Sequence, residues 1–328
     1  MNIFQNFKYI LFISFMIFKI NISNANNTNP CNHDTYFKVL CDLCGCTTSS
    51  SSFGYGTLSN SNFIGVRYIY QNFESKNGIF QNSPISKEQF NTYQLWAQIP
   101  INKSFYLSAN LPYQQLSRNF NSVKESINGI GDASIIGWYK HVFYKKETNQ
   151  AIDYNAQKQA TGHSIQIGLG AKLPTGKFEQ RLTDNINPGF QVGTGSLDGV
   201  FSIGYNYGSN KIGVNTLLSY YIKGENKNDY QFGNQLSYSA NLYTVFKTSK
   251  INFMPFLGFS GDHFENIIQY NEAITNTNGY VINSSLGTEI AFKKYILGTN
   301  FSLPLSQELF GGNVTSKHRF TLYLNYAL

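Results

Sequence analysis

Three thiols fall close together at Cys41, Cys44 and Cys46, a CxxCxC spacing. Thiolates so placed can gather on one soft metal ion, copper or zinc, with Cys31, His33 or Asp42 completing the set. The chain's four cysteines are also an even number, as disulfide pairing in an oxidising cell envelope requires, and a free redox-active thiol is the third reading. Spacing alone does not separate the three. A second group is ionic: Arg67, Asp132, Lys172 and Asp198 take the polar face of segments that alternate polar with apolar, the last three in successive segments. Inside a barrel such charges either line a solute path or form an ion-pair network that fills the interior.

Enzyme signatures begin and fail. Gly170–Phe178 approaches a phosphate-binding loop, but has one residue too many between its glycines and Phe178 where Ser or Thr must hold magnesium. Gly193–Gly199 does not fit G-x-S-x-G. His163 and Ser164 are adjacent, so on a strand they point to opposite faces and cannot serve as a base and nucleophile pair. His141, His163, His263 and His318 stand singly, as interface or loop residues. The expectation is a protein that is not an enzyme, an outer-membrane lipase being the enzymatic alternative.

The elements that position these residues are strands. From Phe63 to Leu328 the chain repeats one theme, a segment of about ten residues with period-two alternation followed by a polar turn or loop. Ile165, Ile167, Leu169, Ala171 and Leu173 share one face against Gln166, Gly168, Gly170 and Lys172. Ile212, Val214, Leu218, Tyr220 and Ile222 oppose Gly213, Asn215 and Ser219 in the same way, and Leu236, Tyr238, Ala240, Leu242 and Phe246 oppose Ser237, Ser239, Asn241 and Tyr243. One face suits lipid and the other a wet lumen.

The segments number about twelve: 63–73, 91–100, 104–117, 130–143, 163–174, 196–208, 211–223, 232–247, 251–261, 279–292, 295–303 and 317–328. Long connections (74–90, 118–129, 175–195, 262–278, 304–316) alternate with short ones, as in barrels with short periplasmic turns and long outer loops. Residues 144–162 break the pattern and read as a periplasmic insertion or a slip of one strand. Tyr68, Tyr70, Tyr113, Tyr205, Tyr207 and Tyr220 fall where interfacial girdles would lie.

Composition agrees. Aromatic residues make 16% of the chain and charged residues only 13%, about half the soluble norm of ~25%, so much of the exterior faces something other than water. After the first 22 residues no apolar run approaches the ~18 to 20 residues of a spanning helix, and mean hydropathy is −0.27. The remaining architecture that satisfies its backbone in hydrocarbon is a closed sheet: an all-β, antiparallel, up-and-down transmembrane β-barrel. Net charge is +7, but the basic residues are scattered singly, which speaks against nucleic acid as a partner.

Residues 1–25 read as a secretory signal peptide, with Lys8, an apolar stretch from Tyr9 to Ile20, and small residues at Ser23-Asn24-Ala25. Residues 26–60 form a periplasmic Cys-containing segment with a Ser-rich linker, and 61–328 the barrel. The final segment, with Phe320, Leu322, Leu324, Tyr326 and Leu328 on one face, matches a strand that barrel-assembly machinery would recognise.

Three stretches resemble a known family. Gly129-Ile130-Gly131-Asp132-Ala133 and the pair Lys172-Leu173-Pro174-Thr175-Gly176 with Gln191-Val192-Gly193-Thr194-Gly195-Ser196-Leu197-Asp198 are similar to the outer-membrane β-barrel transporter family grouped with meta-pathway phenol degradation proteins. Cys41-Asp42-Leu43-Cys44-Gly45-Cys46 ahead of Phe63 looks like a subgroup with an N-terminal CxxCGC element, from which this chain departs by about fifteen residues inserted before the cysteines. The resemblance covers roughly 41–328 and implies a transporter-like barrel without implying a substrate.

The reading is therefore a pore for small solutes in the outer membrane of a Gram-negative-type bacterium, both termini periplasmic, with lipid and the assembly machinery as partners. The first alternative is a copper- or zinc-handling envelope protein that uses the barrel as an anchor.

Overall fold

In the computed structural model the described residues are 62–76, 84–120, 123–143, 162–182, 186–209, 211–248 and 251–328. Cys31, Cys41, Cys44 and Cys46, with the signal-peptide reading, lie outside them.

The described residues form seventeen strands in chain order: β1 (Phe63–Lys76), β2 (Ile85–Pro100), β3 (Phe105–Phe120), β4 (Val123–Ile130), β5 (Ser134–Val142), β6 (Gly162–Lys172), β7 (Asp198–Gly208), β8 (Ile212–Ile222), β9 (Tyr230–Gln231), β10 (Gln235–Thr244), β11 (Phe246–Lys247), β12 (Ile251–Phe264), β13 (Ile268–Gln269), β14 (Glu272–Ala273), β15 (Gly279–Phe292), β16 (Tyr295–Leu309) and β17 (Val314–Ala327). Twelve of them close an antiparallel barrel, with β1 against β17 and β10 against β12 completing the ring. Closure leaves no edge to be satisfied by water, the condition for spanning hydrocarbon with strands.

The alternation is as expected. On β6, Ile165, Ile167 and Leu169 are exposed while Ser164, Gln166 and Lys172 are buried; Leu169 is 66% exposed. Exposed Val66, Leu95, Leu218, Leu257, Leu286 and Leu324 carry the apolar face around the wall. Aromatic pairs gather near the terminal-rim ends of that face, Phe105 with Tyr139, Phe246 with Phe253 and Tyr295 with Tyr326, while Tyr68 meets Tyr93 in mid-strand. Tyr205 lies within 2.6 Å of His163 Nδ1 across strands, and Ser164 turns inward, so the adjacent His163 and Ser164 do point apart.

Chain direction sorts the connections into two rims. The terminal rim, where Phe63 pairs with Ala327, carries the turns 101–104, 209–211, 245–250 and 293–294; the loop rim carries the others, 143–161 excepted.

Several boundaries differ from the sequence reading. The expected long loop 304–316 is largely strand, since β16 runs to Leu309 and β17 starts at Val314 around the turn Phe310–Gly312. There the outward residues turn polar, at Ser306 and Glu308, because the strands rise past the apolar band. Loops 74–90 and 118–129 shorten likewise, and 123–130 becomes β4, hairpin-paired to β3. The segment expected at 130–143 is a barrel strand only from Ser134, and that expected at 232–247 breaks at Val245.

The wall is uneven. Strands β1–β3, β12 and β15–β17 have 14 to 16 residues, whereas β5–β8 and β10 have 9 to 11. About 9 to 11 residues suffice to cross a bilayer, so the long strands stand above it. Over the low side, the described parts of loop 173–197 and loop 223–234 fold inwards, and the latter joins the loop after β12 in the small sheet β14-β13-β9.

Candidate functional site: a buried ion cluster at the loop rim

β6 ends at Lys172 and β7 begins at Asp198, cross-strand partners in the last registered pair, so the loop between them starts and finishes beside an opposite charge. Lys172 Nζ lies 2.7 Å from Asp132 Oδ2 and 3.2 Å from Asp198 Oδ2, and also donates to the Thr194 hydroxyl and to the Ser196 carbonyl. Asp132 is not on a strand: it occupies the bend between β4 and β5, held by Gly131 N–H donating to Pro112 O.

That bend aims its carboxylate into the loop. Gly176 N–H donates to Asp132 Oδ1 at 2.9 Å, and the Thr194 N–H and hydroxyl donate to Oδ2 at 2.9 and 2.7 Å. The Thr175 hydroxyl donates to Gly131 O and accepts from Ala133 N–H. Asp198 Oδ1 accepts from the Ser196 hydroxyl at 2.8 Å and Gly224 N–H at 3.1 Å, and Lys223 Nζ lies 3.4 Å from Oδ2. Two carboxylates and two ammoniums thus cancel in a site where all four residues are buried. Burial of charge is tolerable when opposite charges are paired this closely, and Asp198 Oδ2, which has no hydrogen bond among the described residues, is held by the two ammoniums alone.

Backbone approach makes the cluster compact. Gly176 and Gly193 touch, and a Cβ on Gly193 would sit 2.4 Å from Gly176 O, so only glycine fits there. Gly195 adopts φ +72° against the Phe178 ring, the left-handed region that favours glycine. The Gln191 side-chain amide bridges both backbone groups of Gln180. Outside the cluster, Glu179 accepts from Lys227 and Asn228, and those hydrogen bonds hold its carboxyl below the usual range.

Three of the four ionic residues expected from sequence therefore meet, and Arg67 does not join them. Arg67 Nε donates to Gln94 Oε1 at 2.6 Å and its guanidinium lies over Trp96, nearer the terminal rim. Lys223 was missed, although parity with Gly213 and Ser219 places it inward. Also missed was Arg118, paired with Glu125 at 2.6 Å and stacked on Phe190.

The inward face is not uniformly wet, contrary to expectation. Phe73, Phe90, Leu116, Ile127, Phe264 and Val281 from the wall form one apolar cluster with Phe190 and Val192 of the inward loop, Tyr230, Phe232 and Phe310. Loops that cross a mouth need an apolar contact to order them, and these wall residues supply it. Below that level the face is mixed: Gln98, Ser202, Ser219, Ser237, Ser239, Asn283, Ser285, Asn300 and Ser302 turn inward, and so do smaller apolar clusters, the largest built from Tyr106, Ile136, Trp138, Val200, Leu217 and Tyr221 and a second from Tyr243, Val245, Met254 and Phe256. Among the described residues Thr92, Gln114, Thr321 and Asn325 present buried side-chain atoms with no hydrogen-bond partner.

No protein-family description matches the chain, and no curated protein does. Solved structures do. An outer membrane channel from Pseudomonas putida F1 is 15% identical with a TM-score of 0.57, over 85% of this chain and all of that one. The beta domain of the Bordetella autotransporter BrkA (9% identity, TM-score 0.45, 82% of this chain and 100% of that one) and the translocator domain of NalP from Neisseria meningitidis (12%, 0.42, 83% and 89%) are more distant. The fold is that of outer-membrane β-barrels.

Proposed function

We propose that the chain is a channel or transporter-like pore for small solutes in the outer membrane, with the loop rim outside the cell and both termini in the periplasm. The observation that carries this reading is a row of polar groups on the inner face of a closed barrel, Thr321, Thr92 and Gln114, whose buried polar atoms have no hydrogen-bond partner among the described residues and call for water or a polar solute. A barrel serving only as an anchor gains nothing from such groups. The likeness to an outer membrane channel of Pseudomonas putida supports the same reading. The inward loop 173–197, pinned by Asp132, sets how wide the mouth is. Planar-bilayer recording of the purified chain tests the proposal: discrete conductance steps are expected, and absence of any current together with absence of solute flux into vesicles would sink it.

The CxxCxC spacing supports a second reading, in which Cys41, Cys44 and Cys46 hold copper or zinc in the periplasm. Metal content that is unchanged when all three become Ser would reject it.

A further inference from the structure

The two rims carry charge differently. On the loop rim, acids and bases alternate and pair, as Glu74 does with Lys317 at 2.8 Å and Glu179 with Lys227 at 2.6 Å. On the terminal rim the described residues of the four short connections include lysine and no carboxylate: Lys103 before β3, Lys211 before β8, Lys247 at the end of β11, and Lys293 and Lys294 between β15 and β16. All five are exposed, and none forms an ion pair with a described residue. Because β2/β3, β7/β8, β10/β12 and β15/β16 are spread around the ring, the lysines form a belt rather than a patch.

Their neighbours fix their depth. Ile101 and Phe105 flank Lys103, Ile212 follows Lys211, Phe246 precedes Lys247, and Phe292 and Tyr295 bracket Lys293 and Lys294; all of these apolar or aromatic residues are exposed on the outward face. Lys293 Nζ and Lys294 Nζ lie 5.3 Å over the Phe292 and Tyr326 rings, which tilts their stems along the wall instead of into the lumen. An ammonium one or two residues from the hydrocarbon edge sits at the level of lipid phosphates.

We propose that this belt is a docking surface for anionic phospholipid headgroups, which it gathers around the terminal rim in the leaflet that faces the periplasm. The partner is a lipid rather than an acidic protein because the same residues that carry the charge adjoin the surface that acyl chains must cover, and headgroups therefore reach it first. The choice of phospholipid rests on the proposed orientation of the termini; it does not depend on conduction.

The test uses the full chain, folded into vesicles of phosphatidylcholine alone or mixed with phosphatidylglycerol, then extracted and weighed by native mass spectrometry to count retained lipids. Wild type is expected to retain phosphatidylglycerol over phosphatidylcholine, with the excess shrinking as salt rises. Changing Lys103, Lys211, Lys247, Lys293 and Lys294 together to Gln should lower that excess roughly tenfold, since each lysine near an anionic surface contributes to attraction. Changing Lys76, Lys87, Lys124 and Lys177 on the loop rim to Gln should leave it in place.

Should the five-site variant fail to fold, Lys293→Gln with Lys294→Gln alone is expected to give a partial loss, and all five changed to Arg to restore wild-type retention. Equal retention by wild type and the five-site variant would overturn the proposal, as would an equal loss in the loop-rim variant. No preference for phosphatidylglycerol in wild type would overturn it in favour of an acidic soluble partner. Stronger retention of lipid A than of phosphatidylglycerol at the belt would overturn it by reversing the orientation, while leaving conduction untouched.

Discussion

Removing the Asp132 carboxylate takes away the acceptor for Lys172 Nζ, Gly176 N–H and both donors of Thr194 at once. Asp198 still faces Lys172, so the ammonium keeps one partner. Asp132→Ala is expected to lower barrel stability by roughly 3 kcal/mol, the lower end of what breaking a buried ion pair costs, read as a shift in the urea midpoint of the folded protein. Conductance steps of that variant should also be larger or noisier than wild type, because the inward loop has lost its pin; identical traces would show that the loop does not set the mouth. Gly193→Val probes the close approach instead. Its Cβ would overlap Gly176 O, and the expected result is a loss of folded, heat-modifiable protein on gels while Gly193→Ala loses less.

At the scale of elements, each strand divides lipid from lumen by parity, so a charge on the wrong parity is costly. Leu169→Arg, in the middle of β6 on the outward face, is expected to cost about 2 to 4 kcal/mol, whereas Gln166→Arg on the inward face should fold normally. Folding yield in vesicles separates the two. The loops obey different physics. Glu179 ties loop 173–197 to loop 223–234 through Lys227 and Asn228, and its lowered pKa sets the sign: the tie is present above the usual carboxylate range and is lost as pH falls through the depressed value. Single-channel recordings across acidic pH should therefore show the mouth loosening only in strongly acid buffer, and Glu179→Gln should show the loosened behaviour already at neutral pH.

For the whole molecule, the closed ring, its twelve spanning strands and the outward parity were legible in the sequence, because period-two alternation is a local property and closure is the way such strands satisfy their backbones in lipid. The motif glycines and ionic residues were legible too: Gly131-Asp132, Lys172, Gly176, Gly193, Thr194 and Asp198 stand out in the chain and converge in space. What the sequence could not supply was which charges pair. Asp132 and Thr194 are 62 residues apart, and Arg67, equally inward by parity, ends beside Trp96 instead. Strand height was also hidden, since polar outward residues such as Ser306 and Glu308 read as loop until the neighbouring strand shows that the ladder continues. Local alternation fixes the face on which a side chain lies; register, shear and the inward fold of the loops fix its neighbours, and those arise only when the ring closes.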